Sequence, residues 1–251
     1  MLLAIDKPSW ITSFDVIRIL KHNFPKQKIW HSGTLDPMAS GLMLVAVGSD
    51  TKNLTQLIGL DKSYTATIDF SIVTDTWDME YWEKITNFEL RIEDSITKGL
   101  IIADKKISAP SLEEIRAILQ KLIPSCELPV PAFSAKKKEG KRLYESAREG
   151  EQIIQNKEMK INSYEIISYQ FPSLQLRLDV GSGTYIRSIA HRLGEQLHLW
   201  WTLTQLRRTS IWSWDIERLP MKPLENLATH QLAEAKIALS LIHIWRCRRR
   251  G

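Results

Sequence analysis

Cysteine is nearly missing from this chain: among 251 residues only Cys126 and Cys247 carry a thiol. That excludes a disulfide framework, and with it the small secreted domains that depend on one. The six histidines are scattered, and none stands at metal-ligand spacing with cysteine or carboxylate partners, so no metal is expected. Long apolar runs are absent too. The opening Met1-Leu2-Leu3-Ala4-Ile5 meets Asp6 and Lys7 too soon for a signal peptide or an anchor. A cytoplasmic location without a membrane partner is the expectation. Excess charge of one sign is also scarce once position is considered. The net charge is +5, but the last twelve residues, Ser240 to Gly251, hold four arginines and no acid, so the rest is nearly balanced. An RNA footprint must therefore come from local clustering. The tail SLIHIWRCRRRG differs in character from what precedes it and reads as non-native, translated adaptor or frameshifted sequence. Its rival reading is a native basic tail that touches RNA.

What is present suits a globular α/β chain. Hydrophobic residues make up 43% and charged residues 25%, enough for one large domain or two small ones. Leu2 to Ile5 reads as a strand. Thr12-Ser13 caps a helix carrying Phe14, Ile17, Leu20 and Phe24, which Pro25 ends. Leu42 to Val47 suits a buried strand, after which Ser49-Asp50 caps a helix closed by Gly59. Tyr64, Ala66, Ile68 and Phe70 alternate with polar residues, as in a strand with one buried face. Ser111 and Glu114 form a capping box before Ile115, Ile118, Leu119 and Leu122. Leu174, Leu176, Leu178 and Val180 alternate as a strand, and Ile186, Ile189, Ala190 and Leu193 form one stripe of a helix. Between those two lies Gly181-Ser182-Gly183, a GxG after a strand. Ile186 at the sixth position defeats the dinucleotide-binding reading.

The stretch around which the rest is arranged is HSGTLDPMASG, His31 to Gly41. Asp36 precedes Pro37, which pushes it out of the helical region, and Gly33 and Gly41 permit turns. On local chemistry alone this is a turn whose aspartate bonds its own backbone. The whole string, however, resembles the catalytic loop GHxGTLDPxAxG of the tRNA pseudouridine synthase B (TruB) family. LLAIDKPSWITSFDVI resembles the opening motif of that family, with Trp10 where a glycine is usual; Trp30 likewise replaces a glycine before His31. GSDTK, TDTWD, the Ser134–Gly150 segment, GTYIR and the L-R-R stretch follow in family order.

This resemblance implies a pseudouridine synthase fold: mixed α/β, with a long, mostly antiparallel sheet flanked by helices and a central catalytic cleft. It implies an isomerase without a cofactor, acting on uridine 55 in the T-arm of tRNA; with no C-terminal RNA-binding module evident in the sequence, no guide RNA is expected, and a monomer is the default. Carried over position by position, Asp36 is the nucleophile, Arg187 pairs with it, and Tyr64 packs on the target uracil. Tyr185 and Leu206 line the pocket, and His31 either supports the flipped nucleotide or braces the loop. Lys7 either meets phosphate or is solvated. Lys52, Lys137, Arg142 and Arg148 are the remaining cations placed on RNA. The expected division is a catalytic domain at 1–220, with a thumb-like RNA-contacting segment at 79–150, a helical edge at 221–239 and the tail at 240–251. Two competing functions are a tRNA-folding chaperone on the same fold and a synthase for a different RNA uridine.

Overall fold

A computed structural model describes residues 1–80, 100–102, 108–134, 136–138, 140–149 and 155–219. The expected helical edge at 221–239, the tail at 240–251 and most of the segment from 80 to 108 lie outside them. In chain order the elements are β1 (Leu2–Lys7), α1 (Ser13–Asn23), β2 (Ile29–His31), β3 (Ser40–Val47), a 3-10 turn (Gly48–Asn53), α2 (Thr55–Ile58) and β4 (Lys62–Asp69). Then come β5 (Ile72–Thr74), β6 (Leu100–Ile102), α3 (Leu112–Lys121), β7 (Ser125–Pro129), β8 (Lys137–Lys138), β9 (Lys141–Arg142) and α4 (Leu143–Arg148). The last are β10 (Asn156–Gln170), β11 (Ser173–Val180), α5 (Ile186–Leu197), β12 (Thr202–Ile211) and β13 (Trp214–Asp215). The described residues fall into two compact units: one of Met1–Tyr64 with 206–219, the other within Thr65–Gln205.

In the first unit β3 is central. β1 runs antiparallel to it, from Leu2 opposite Ala46 to Lys7 opposite Gly41. β2 also pairs with it antiparallel, whereas β12 lies parallel, with Arg207 opposite Ser40 and Arg208 opposite Gly41. Covered on every side, Leu42 to Val47 are all buried, which is why this strand is continuously apolar rather than alternating. One core cluster joins Ala4, Leu42, Leu44 and Ile211, with Leu57, Leu60, Trp214 and Ile216 packed against it. Helix α1 starts at a full capping box, Thr12 with Asp15. Its inward stripe is Ser13, Val16, Ile17 and Leu20. Phe14, expected inside, is 55% exposed and lies under the Arg18 guanidinium, 5.8 Å from the ring centre. The helix expected after Ser49-Asp50 is a 3-10 turn followed by the short α2, with no side-chain cap. Asp50 is drawn instead to the Met1 ammonium at 2.7 Å, and Thr51 bonds back to the Gly48 carbonyl at 2.8 Å.

The second unit orders its strands β4-β11-β10-β7. Ala66, Ile68, Phe70, Leu174, Leu176, Leu178 and Val180 are buried, as their alternation requires. The Ser111–Glu114 capping box is present, and Ile115 and Leu119 carry the inward face of α3, which packs on α5. Ile186, Ile189, Ala190 and Leu193 are buried along α5. The cationic segment forms a small hairpin in which Lys137 faces Arg142 across a turn at Gly140, where φ is +87°; Arg148 ends α4. Lys141 is tied to Glu149 as an ion pair. The mixed, mostly antiparallel sheet with helices against it matches the expected fold class.

Candidate active site

The loop around Asp36 is clamped through its backbone by residues far away in sequence. Ser13, on the inward face of α1, both donates to the Leu35 carbonyl at 3.0 Å and accepts the Leu35 N–H at 2.9 Å. The Pro37 carbonyl accepts the Trp10 N–H at 2.7 Å and the Lys7 ammonium at 3.2 Å. The Asp36 carbonyl accepts the Ala39 N–H at 3.1 Å. Leu35, Met38 and Ala39 point into the core, leaving Asp36 half-buried at the bend. The bonds thus fix the backbone on either side of the Asp36 side chain.

Beneath the loop lies Arg208, 1% exposed. It donates from Nε to the Leu42 carbonyl at 2.6 Å and from Nη2 to the Gly33 carbonyl at 3.1 Å. The backbone of Arg208 passes so close to Gly41 that a Cβ there would fall 2.2 Å from its carbonyl oxygen, and Gly41 has φ +110°. Gly41 thus serves close strand approach. At Gly33 a Cβ would find only ordinary contact, 3.6 Å from Arg208 Nη1, so its role is not steric.

Lys7 corrects the expectation of a surface or phosphate-binding cation. It is fully buried, and its ammonium donates to the carbonyls of Pro8 at 3.0 Å, Ile11 at 2.7 Å and Pro37 at 3.2 Å. Burial outweighs the pull of the Asp36 carboxylate and, helped by Arg208, lowers the Lys7 pKa from 10.5 to about 8. Lys62, bonded to the carbonyls of Ile58 and Leu60, is likewise lowered to about 8, first by burial and then by Arg208. The folded chain therefore releases the Lys7 proton more readily than the unfolded chain does. Stability linked to Lys7 is withheld below about pH 8 and rises toward 10.5. Against a Lys7→Met variant, the parent is expected to gain about 1.4 kcal/mol per pH unit across that window in urea unfolding. A difference that stays flat with pH would refute the buried ammonium.

Trp10 occupies the left-handed region at φ +70°, where its N–H can reach Pro37. This accounts for the glycine usual at that position. Since only the Cβ differs, Trp10→Gly is expected to exceed Trp10→Ala by about 1 kcal/mol in stability; equal unfolding midpoints would show no strain there.

The first unit also holds His31, Lys52, Tyr64 and Leu206. His31 ends β2 half-buried, and burial, then the Arg208 charge, lower its pKa against a raising contact from the Gly33 backbone. Lys52 is exposed on the 3-10 turn, while Tyr64 on β4 and Leu206 on β12 point inward. The second unit holds Tyr185 and Arg187, and the backbone of Lys137, Arg142 and Arg148. Tyr185 caps α5 in an extended conformation, its N–H donating to Met159 Sδ at 3.4 Å. Arg187 is 2% exposed and donates to the carbonyls of Thr76 at 2.8 Å and Phe133 at 3.0 Å, with the Asp78 carboxylate 3.3 Å away. Asp78 is set in place by bonds from Thr76 Oγ1 and the Glu80 N–H, both 3.0 Å. Trp77 before it takes φ +67° and stacks on His191, ring centres 4.4 Å apart, with Trp201 edge-on. Sequence reasoning placed Ser13 only at the cap of α1 and gave no role to Lys62, Asp78 or Arg208. Asp78 ends the TDTWD string and Arg208 ends L-R-R, so motif membership was the signal for both.

Comparison with known proteins accords with this arrangement. The profile of the TruB family pseudouridylate synthase (N terminal domain) matches residues 21–89 and 83–186. The tRNA pseudouridine synthase B of Chloroherpeton thalassium is 36% identical over 222 residues, covering 86% of this chain and 85% of that protein. The protein of the same name from Caldicellulosiruptor saccharolyticus is 36% identical over 241 residues, 92% of this chain and 77% of that protein. Among solved structures, a Cbf5-Nop10-Gar1 complex shares the fold with a TM-score of 0.61 and 21% identity, over 86% of this chain and 50% of the matched chain. The chain belongs to the TruB family of pseudouridylate synthases, a family of isomerases.

Proposed function

We propose that this chain converts uridine 55 in the T-arm of tRNA to pseudouridine, with Asp36 as the nucleophile. The observation that supports this most is the clamped loop: six backbone-directed bonds fix the residues around one half-buried carboxylate within the family's most specific motif. The reaction breaks an N-glycosidic bond, turns the base and joins its C5 to the ribose. Nothing is oxidised and no group leaves, so the chain's own side chains suffice. A carboxylate that adds to the base or the sugar divides the barrier into smaller steps.

The target base lies within folded RNA and must be extruded before reaction. In this reading Tyr64 and Tyr185 receive the uracil, Leu206 lines the pocket and neutral His31 supports the displaced strand. Arg187 is the cation that the family motif GTYIR contributes to this reading. Lys52, Lys137, Arg142 and Arg148 take up phosphates.

The test is site mapping of pseudouridine in an unmodified tRNA transcript after incubation with the purified chain. A single conversion at uridine 55 is expected. Conversion at another uridine would reassign the substrate. Tight binding with no conversion anywhere would overturn the isomerase reading in favour of a tRNA-folding role.

A further inference from the structure

We propose that Trp30 is a stacking platform for an unpaired RNA base next to the target nucleotide, flanked by Lys26 and Lys28 as phosphate contacts. This inference rests on the RNA-modifying function proposed above. A lone exposed aromatic is ordinary on a protein surface. Trp30 differs in its company. It is 55% exposed although held in β2, with Ile29 beside it only 4% exposed. Its ring is parallel to that of His31, planes 2° apart and centres 6.0 Å apart, so the two form one aromatic shelf leading to the Asp36 loop. Every second residue before it, Lys28 and Lys26, is exposed and cationic, and neither pairs with an acid among the described residues. The 3-10 turn carrying Lys52 is tied to this edge by the Gly48 N–H donating to the Lys28 carbonyl at 2.8 Å. The acid of that turn, Asp50, is answered by the Met1 ammonium.

Cations alternating with an aromatic ring match a strand of unpaired bases, in which phosphates and π-faces also alternate. His31 is kept neutral by burial and by Arg208, so its ring adds face rather than charge to the shelf. Trp30 stands where a glycine is usual, so the shelf is a property of this chain that the shared motif does not supply.

Affinity for a T-arm RNA hairpin is measured in an Asp36→Asn background, which prevents turnover. Trp30→Ala is expected to weaken binding by about 5-fold to about 140-fold without altering its salt dependence, and Trp30→Phe to retain most of it. Lys28→Ala is expected to lower the salt slope by about one. Scanning the hairpin with abasic residues should find one nucleotide whose base loss weakens the parent but adds nothing to Trp30→Ala. Unchanged affinity in Trp30→Ala, or a loss uncoupled from every base, would overturn the proposal and leave the ring as a brace for His31. A parent that does not bind the hairpin would instead overturn the proposed function, and this inference with it.

Discussion

Asp36→Asn is expected to slow pseudouridine formation by on the order of 10^4-fold or more in single-turnover assays, as loss of a covalent nucleophile does. The exchange keeps side-chain shape and removes only charge and nucleophilicity. The bonds from Ser13, Trp10, Lys7 and Ala39 reach backbone atoms of Leu35, Asp36 and Pro37, so they survive it. RNA affinity should therefore stay near that of the parent, and the unfolding midpoint should fall only by the lost attraction between the Asp36 charge and the buried Lys7 ammonium. Conversion within tenfold of the parent would remove Asp36 from the chemistry. A collapse of stability together with activity would assign the carboxylate to holding the loop.

The second large effect concerns stability of the Thr65–Gln205 unit. Asp78 and Arg187 are almost fully enclosed, with side chains 0% and 3% exposed and 3.3 Å between Oδ2 and Nη1. Removing one member strands a desolvated charge, which costs about 3–5 kcal/mol. Asp78→Ala is expected to lose that much in equilibrium unfolding. The double variant Asp78→Ala/Arg187→Met should lose less than the two single losses combined, because neither charge is then left alone. The Thr76 and Phe133 carbonyls still forfeit their donor, so recovery is partial. Additive losses would mean that the pair is uncoupled.

Sequence periodicity exposed the strands whose two faces differ. β4 and β11 alternate as read, and the helix cap at Thr12 and the capping box at Ser111 sit where expected. The α1 stripe was misplaced by a physical accident that pattern alone hides. Ser13 is polar yet turns inward to hold Leu35, whereas apolar Phe14 turns out beneath Arg18. In the candidate site, the motif residues were legible because their types and spacing are specific. The apparatus under them was not. Lys7, Lys62 and Arg208 look like surface cations in a one-dimensional reading, and only the convergence of backbone carbonyls, partly from distant segments at Lys7 and Arg208 and from the preceding turn at Lys62, makes their burial tolerable. Trp10 gave no hint of its left-handed backbone beyond standing in a glycine's place.

The parallel register of Arg208 with Gly41 carries a consequence for synthesis on the ribosome. Asp36 emerges early, but the guanidinium that satisfies the carbonyls of Gly33 and Leu42 emerges more than 160 residues later. At translation speeds of about 5–20 residues per second, the loop spends on the order of ten seconds without its floor. Until β12 inserts beside β3, the nascent chain therefore holds the whole HSGTLDPMASG string without the guanidinium beneath it. Premature termination before Arg208 would yield a product that carries the motif without the geometry it needs.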